Sequence, residues 1–199
     1  MKTYEGKTVD DAISFACQDL GIALDDLNYE IIEEKKGLFS KKVVIECYTT
    51  DMIQTYMEDF VRKTLTNMEF EVETVSYIQD GRIFCNINTN NNSILIGKNG
   101  VILRALNLIV KNAVNHEFKK RVELSLDING YKENRYKKVM GLSKRLGKQV
   151  QRTKTPIKLD PMPADERKVM HQTISKMSNL KTESQGEGKN RYITISYVD

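Results

Sequence analysis

An apolar segment near the middle of the chain is broken by a glycine-rich turn, and this turn constrains the fold more than any other feature. Residues 93–113 read SILIGKNGVILRALNLIVKNA, a run of core-forming residues interrupted by Gly97-Lys98-Asn99-Gly100. Glycine adopts backbone angles that other residues avoid, so the pattern predicts two helices joined at a tight turn. The second helix then begins with free N–H groups and a partial positive charge, both of which attract phosphate.

The turn has the composition of a clamp for a sugar-phosphate backbone. Lys98 supplies a mobile cation, and the missing Cβ atoms of the two glycines let another backbone approach closely. KH domains carry a GXXG loop of this kind that holds about four nucleotides, although GxxG by itself also occurs in plain helix–helix turns. Contacts to RNA are predicted for the turn and its neighbours, which are Ile96, Gly97, Lys98, Asn99, Gly100 and Arg104.

The elements around the turn follow the order of a type II KH fold, which we predict over residues 51–128. A helical pattern is followed by two strand-like segments joined at Asp80-Gly81, a hairpin signal, with an irregularity expected near Thr74. Strict alternation of apolar residues over 122–128 predicts a strand after the turn. The predicted buried face of the helix after the turn consists of Ile102, Leu106, Ile109 and Ala113.

Two further small domains are predicted on either side, which makes the chain an α+β protein of three domains. Residues 1–50 are predicted to form an N-terminal β-α-β-β unit, with a capping box that begins at Thr8. Residues 129–199 are predicted to form a C-terminal α/β domain that begins with a long cationic helix. Its later segments are the helix Ala164–Met177, a polar glycine-rich loop over 181–190 and a closing strand Tyr192–Tyr197.

The two halves of the chain carry opposite net charge. Residues 1–96 hold 9 Lys and Arg against 17 Asp and Glu, whereas residues 97–199 hold 22 against 10. Within the basic half, residues 131–158 contain ten cations and a single acid, Glu133. A solvated helix face normally mixes both signs, so this excess predicts a polyanionic partner.

A second candidate site lies in the last third of the chain. Arg167 and His171 are four residues apart in a predicted helix, so they share one face. A guanidinium that forks onto phosphate beside an imidazole makes a modest anion-binding pair, although the same spacing also fits an ordinary surface pair. Lys189 and Arg191, which precede the closing strand, are predicted to contribute to this site.

Three motifs, in this order along essentially the whole chain, resemble the Jag family, also called the KhpB, EloR or SpoIIIJ-associated family. The segments EGKTVDDAISFACQDLGI and KKGLFSKK resemble the N-terminal domain of that family. ILIGKNGVILRALNLIV with DINGYKENR resembles its KH domain, and PMPADERKVMH with TESQGEGKNR resembles its C-terminal Arg-xxx-His domain. Gln185 and Asn107 depart from the residues common in the family, and almost no linker follows Tyr48.

The resemblance implies a cytoplasmic protein that binds single-stranded RNA, with single-stranded DNA as the alternative. It implies a regulator or RNA chaperone that acts in the control of cell elongation and of envelope (peptidoglycan) homeostasis. It also implies a partner bound through the KH domain, either a small single-KH-domain (KhpA-like) protein or a second copy of the chain. No cofactor is expected. No membrane insertion is expected either, because no stretch approaches the ~20 apolar residues of a membrane span.

Two other classes of function stay open on the sequence alone. The first is a protein scaffold with secondary RNA binding, because Gly37-Leu38-Phe39 is an apolar hairpin tip flanked by lysines that either docks on a partner or folds back. The second is an enzyme such as a nuclease, which is disfavoured because no carboxylate pair stands out at metal-binding spacing. The three cysteines have no CxxC spacing, so neither a disulfide framework nor a zinc site is indicated.

Overall fold

The computed structural model describes residues 1–36 and 41–198, and these form an α+β protein with three separate three-stranded sheets. The predicted fold class is confirmed. The chain divides into two compact units, residues 1–129 with two of the sheets and residues 130–199 with the third. The predicted apolar hairpin tip at Leu38-Phe39 lies outside the described residues, and the domain boundaries near residues 50 and 128 stay predictions.

The N-terminal segment of the first unit is an antiparallel sheet covered by one helix. Its elements are β1 (Lys2–Gly6), α1 (Val9–Leu20), β2 (Asn28–Lys36) and β3 (Lys41–Tyr48). The strand order is β1-β3-β2, so β3 is central and its Ile45 is fully buried. α1 begins at the predicted capping box, in which Thr8 and Asp11 each accept the other's backbone N–H. Ala12 and Ala16 are fully buried, so the helix lies close against the sheet.

The second segment of the first unit adds a mixed sheet with helices on one face. Its elements are α2 (Thr50–Asn67), β4 (Val72–Gln79), β5 (Arg82–Thr89), α3 (Asn92–Ile96), α4 (Val101–Glu117) and β6 (Leu124–Ile128). The β4–β5 hairpin turns at Asp80-Gly81 as predicted, and β6 pairs with β5 in parallel. The pairing of β4 with β5 has unbroken register, so the predicted irregularity near Thr74 is wrong. The order of helix, hairpin, short helix, turn, helix and strand agrees with the sequence-based prediction.

Helix α4 buries a different face from the predicted one. Ile102 and Ile109 are 42% and 54% exposed, Ala113 is half-buried, and only Leu106 of the predicted set is buried. The buried residues are Leu103, Leu106, Val110 and Val114. The N-terminal half of α4 is apolar on two adjacent faces, so helical spacing allowed two overlapping stripes and the position of the sheet selects one. The residues left exposed form the α4 apolar face, which consists of Val101, Ile102, Ala105, Leu108 and Ile109.

The segment Asn92–Glu117 is the one described stretch that is long and apolar enough to pass a length-and-composition test for a membrane-spanning helix. It is not a single continuous helix, because left-handed backbone at Asn99 and Gly100 separates α3 from α4. Leu95 of α3 and Leu103 of α4 are both buried within the first unit. The segment is therefore two separate helices, each of which buries one face in the first unit.

The second unit packs two helices against one face of an antiparallel sheet. Its elements are α5 (Tyr131–Thr153), β7 (Ile157–Lys158), α6 (Ala164–Ile174), β8 (Leu180–Gln185) and β9 (Tyr192–Tyr197). The order β7-β9-β8 makes the closing strand central, and Ile193 and Ile195 are fully buried. The prediction of a loop throughout 181–190 is wrong. β8 is an edge strand whose half-buried side chains after Leu180, which are Thr182 and Ser184, are polar, so an apolar alternation was lacking.

Candidate nucleic-acid interface

The predicted turn joins α3 to α4 with the backbone angles that its glycines permit. Gly97 and Gly100 have φ of 67° and 72°, and Asn99 between them has φ of 53°. Glycine adopts positive φ without strain, and asparagine tolerates it better than most residues. The Gly97 N–H donates to the Ser93 carbonyl and the Gly100 N–H donates to the Gly97 carbonyl, so the turn is closed by its own backbone.

Gly97 is required by packing as well as by conformation. A Cβ atom at this position would lie 2.7 Å from Cγ1 of Ile102, which is far inside van der Waals contact. Ile102 therefore lies against the turn from the first turn of α4. A larger residue at position 97 would displace this side chain and the turn with it.

The two central residues of the turn, Lys98 and Asn99, are exposed. α4 begins directly after the turn, and no side chain of the described residues caps its N-terminus. The Gly100 and Val101 N–H groups donate to carbonyls within the turn, and the positive end of the helix dipole lies beside Lys98. This combination attracts a phosphate group without burying any charge.

The remaining predicted contacts at the turn have mainly supporting positions. Arg104 Nη1–H donates to the carbonyl oxygen of Asn99 over 2.8 Å, which holds the turn and keeps a second cation beside it. Ile96 is half-buried at the end of α3, and Gly100 is buried. The structure therefore brings Lys98, Asn99 and Arg104 together at one exposed corner.

Two asparagines of α4 that the sequence did not mark as site residues hold the neighbouring strand. Asn107 Oδ1 accepts the Leu126 N–H, and Asn115 Oδ1 accepts the Val122 N–H, both over 2.8 Å. Leu126 lies in the edge strand β6 and Val122 lies two residues before it, so these bonds satisfy backbone donors at the edge of the sheet. They fix the distance between α4 and the strand beside the turn. Asparagine is common on helix surfaces, so no sequence signal pointed to this role.

The second predicted pair, Arg167 and His171, lies on one face of α6 and is joined by a serine of β8. Arg167 Nη1–H donates to Ser184 Oγ over 3.1 Å, and His171 Nε2 lies 2.8 Å from the same oxygen. His171 Nδ1 lies 2.6 Å from Thr182 Oγ1. A neutral imidazole fits this network, with the Ser184 hydroxyl donating to Nε2 and Nδ1–H donating to Thr182.

The surroundings of His171 favour its neutral form. Burial lowers the pKa of His171 below its usual value, and the positive charges of Arg167 and Arg191 lower that pKa further. Both causes act against the imidazolium ion, so the ring is uncharged at neutral pH in the free protein. An anion bound beside the two guanidinium groups acts in the opposite direction, because negative charge stabilises the imidazolium.

Helix α6 is held in place by a buried ion pair with α5. Glu166 is 3% exposed, and its two carboxylate oxygens accept from Arg135 over 2.9 Å each. One residue earlier, Asp165 accepts from the Tyr136 hydroxyl over 2.8 Å. These bonds fix the first turn of α6, and Arg167 follows directly after them.

The other predicted residues of this site lie at the start of β9. Arg191 directly precedes β9, and its charge acts on His171. Lys189 is exposed in the single turn Gly188–Asn190. Thr182 and Ser184 were missed, because their segment was interpreted as a loop. Lys181 and Glu183 alternate with these two hydroxyl residues in the sequence, and this polar alternation is the one signal that pointed to a strand.

Two family models match opposite ends of the chain. The model of the Jag N-terminus matches residues 4–48, and the model of the Arg-xxx-His domain matches residues 137–197. The first match covers β1 to β3, and the second runs from α5 to the end of β9. The two matches fit the predicted three-domain layout.

Fold and matches together define a multidomain protein. A Jag N-terminal domain and an Arg-xxx-His domain flank a segment in which a GxxG turn joins two helices. RNA-binding protein KhpB of Bacillus subtilis (strain 168) is 31% identical over 98% of this chain and 97% of the relative. RNA-binding protein KhpB of Clostridium symbiosum is 30% identical over 98% of this chain and 91% of the relative. The chain therefore belongs to the KhpB family, also called the Jag family, which is not a known enzyme family.

Proposed function

We propose that this chain is a non-enzymatic protein that binds single-stranded RNA at the turn between α3 and α4. One observation carries the proposal: Lys98 and Asn99 are exposed at the uncapped N-terminus of α4. The helix dipole and the ammonium of Lys98 there act together on a phosphate. The arrangement agrees with the GXXG clamp of a KH domain, to which we assign residues 51–128. The name of these two relatives, RNA-binding protein KhpB, supports RNA as the ligand.

A second contact to the RNA backbone is assigned to Arg167, His171 and Arg191, with Lys189 beside them. Among the described residues, Arg167 donates to the Met162 carbonyl and to Ser184. A guanidinium has five N–H donors, so donors remain for a phosphate. The match of the Arg-xxx-His domain model over residues 137–197 supports this assignment.

The proposal is tested by changing Lys98 and Asn99 together to Asp. Two carboxylates facing a phosphate backbone repel it, so RNA affinity is expected to fall to the weak residual level that the Arg167 surface supports. Acids at a helix N-terminus stabilise the helix by roughly 0.3–1 kcal/mol, so the thermal melting midpoint is expected to stay the same or rise. The measurements are affinity for a fluorescent single-stranded RNA, competition by DNA of the same sequence, and thermal melting.

A matched control is the variant K7D/N67D, which makes the same two chemical changes at exposed positions away from the turn. It is expected to bind RNA almost as well as the unchanged chain. Unchanged affinity in a folded K98D/N99D variant would remove the turn as the main clamp. Equal losses in both variants would mean that net charge alone, and not the turn, decides binding.

We further propose that the first unit pairs with a small single-KH-domain (KhpA-like) protein or with a second copy of this chain. The support is the α4 apolar face, on which Leu108 is 59% and Ile109 is 54% exposed. Exposed apolar patches of this kind mark interaction surfaces in soluble proteins. The resemblance to the Jag family supports a KH-containing partner, and sedimentation of the chain alone and with such a partner distinguishes the two cases.

The cellular role is proposed from the resemblance to the Jag family. We infer a cytoplasmic regulator or RNA chaperone in the control of cell elongation and peptidoglycan homeostasis. Depleting the protein in its host is expected to change cell length, and the K98D/N99D variant is expected not to restore it. Full restoration by this variant would separate the cellular role from RNA binding at the turn.

A protein scaffold with secondary RNA binding is the second candidate, and the α4 apolar face is the observation that favours it. The two candidates differ in what the cell loses when each surface is changed. If variants of the α4 apolar face abolish function while K98D/N99D leaves it intact, the scaffold is the correct assignment. The apolar tip at Leu38-Phe39, which the sequence suggested as a docking loop, lies outside the described residues and does not support either candidate.

A further inference from the structure

A strip of unpaired positive charge runs along helix α5. The strip consists of five exposed cations, Lys138, Lys144, Arg145, Lys148 and Arg152. At 3.6 residues per turn they fall within an arc of about 120°. This arc lies opposite the buried residues Val139 and Val150. Within residues 1–36 and 41–198, no carboxylate forms an ion pair with any of the five.

The lysines next to the strip contact a carboxylate or an aromatic ring, and these contacts mark the two ends of the strip. Lys137 Nζ lies 2.5 Å from the Glu133 carboxylate. Lys154 lies over the ring of Tyr197 and Lys158 lies over the ring of Tyr192, with Nζ 4.9 Å and 4.3 Å from the ring centroids. Cation–π contacts of this kind stabilise the fold and hold the two ammonium groups over the rings, away from the strip. The five unpaired cations are therefore a distinct set.

A glycine in the middle of the strip has no role in packing. No heavy atom outside the helix's own backbone lies within 4 Å of the position that a Cβ of Gly141 would take. By contrast, a Cβ at Gly147 would lie 2.7 Å from the Met177 sulfur, so packing requires glycine there. A glycine inside a helix destabilises it relative to alanine. Gly141 leaves bare backbone between Lys138 and Lys144, where another chain can approach closely.

We propose that this α5 strip, Lys138 to Arg152 with Gly141, binds the sugar-phosphate backbone of RNA. It is a third contact surface, and it rests on the proposed RNA binding at the turn and at Arg167. From Lys138 to Arg152 the helix rises about 21 Å. A stacked strand at ~3.4 Å per nucleotide places about six phosphates along that length. The strip holds only cations and a glycine, so it contacts the backbone without reading the bases.

The first test removes charge from the strip and from a matched pair elsewhere in the full-length chain. K144Q/K148Q is compared with K7Q/K63Q, which takes two exposed lysines from the first unit. Each phosphate contact to a single strand contributes about 0.7 to the slope of log affinity against log salt. K144Q/K148Q is therefore expected to make the slope shallower by about 1.4 and to weaken binding roughly tenfold at ~0.15 M salt. K7Q/K63Q is expected to leave both values unchanged.

The second test keeps the charge and fills the gap. G141L adds a bulky side chain and a better helix former, so the melting midpoint is expected to rise. One phosphate contact is expected to be lost, so RNA affinity is expected to fall roughly fourfold at ~0.15 M salt. If the variant is more stable and binds RNA less well, loss of folding cannot be the cause of the weaker binding. Unchanged affinity in G141L would overturn the role of Gly141 as a site of close approach.

The probes are a mixed-sequence single-stranded RNA and vesicles that contain an anionic phospholipid. Equal affinities and slopes in K144Q/K148Q and the unchanged chain would overturn the strip and leave the proposed function intact. Vesicle binding that depends on the two lysines, with RNA binding unchanged, would assign the strip to a membrane surface and overturn the RNA assignment. If the unchanged chain binds no RNA, the proposed function and this inference both fail.

Discussion

At the residue scale, both candidate clamps depend on one polar contact from a neighbouring group. Arg104 donates to the carbonyl of Asn99 and holds the turn. Ser184 of β8 contacts both Arg167 and His171 of α6. Each contact orients a polar or cationic group that remains accessible to a ligand, which is how a rigid second layer prepares a binding site. The residues that position the site are therefore as important as those that carry the charge.

His171 is expected to make RNA affinity depend on pH. Burial and the charges of Arg167 and Arg191 lower the pKa of His171 in the free protein, and phosphate beside the ring raises it. RNA binding then takes up a proton, so affinity is expected to increase as pH falls through the His171 pKa of the complex and to level off below the His171 pKa of the free protein, which lies under the usual value of about 6.5. H171Q keeps two hydrogen-bonding groups and is expected to lose this pH dependence in the affinity measurement.

The other histidine provides the control for this prediction. His116 is exposed near the end of α4, outside the second unit, so H116Q is expected to keep the full pH dependence. NMR titration of the His171 ring with and without RNA measures the two pKa values directly. Parallel pH profiles in the unchanged chain and in H171Q would contradict phosphate binding beside this ring.

At the scale of elements, helix α4 combines three surfaces that have different physical roles. Its N-terminus is open at the GxxG turn, and its buried face packs against the sheet of β4, β5 and β6. Its third surface, the α4 apolar face, is exposed. Asn107 and Asn115 fasten the helix to β6, so a partner can bind the apolar face without moving the turn.

The exposed and buried faces of α4 are expected to respond to mutation in opposite ways. L108S/I109S changes two exposed residues, so the free energy of unfolding is expected to shift by less than about 1 kcal/mol while association through the first unit is lost. L103A changes a buried residue and is expected to cost about 2–5 kcal/mol of stability. Chemical denaturation and sedimentation measure the two effects. A strong loss of stability in L108S/I109S would show that the buried face had been assigned wrongly.

At the scale of the whole molecule, positive charge is concentrated where the described part of the chain offers it no partner. In the first unit, Lys119 forms an ion pair with Glu30 over 3.0 Å, and Lys120 donates to Asn28. Side chains of the acidic N-terminal sheet thus bind the two lysines that precede β6. Lys98, the Arg167 cluster and the α5 strip form no ion pair among the described residues, and these are the three places at which we propose phosphate contacts.

RNA binding by the whole chain is expected to weaken steeply with salt. Three surfaces with at least one phosphate contact each give a log affinity that falls with log salt at a slope of about −2 or steeper. Fluorescence anisotropy with a labelled single-stranded RNA over a range of sodium chloride concentrations measures this slope. A flat profile between low and moderate salt would rule out backbone binding as the main source of affinity.

The sequence by itself determined the order of the elements in the first unit and the position of the turn. These features depend on local chemistry: Asp80-Gly81 permits a tight hairpin, the glycines of the GxxG turn permit positive φ, and Thr8 with Asp11 caps a helix. The exposure of Lys98 and Asn99 was predictable for the same reason, since both lie between glycines at a helix start. Charge asymmetry is likewise a property of composition and needs no fold to be recognised.

Only the tertiary structure decided which face of α4 is buried and which groups surround His171. α4 offers two apolar stripes one residue apart, and periodicity cannot choose between them, because the choice depends on where the sheet lies. Thr182 and Ser184 reach His171 from an edge strand that is polar after Leu180, so hydrophobic alternation does not predict it and its pairing with β9 establishes it. Local sequence specifies local geometry, whereas burial and contacts between distant residues are set by the packing of elements against one another.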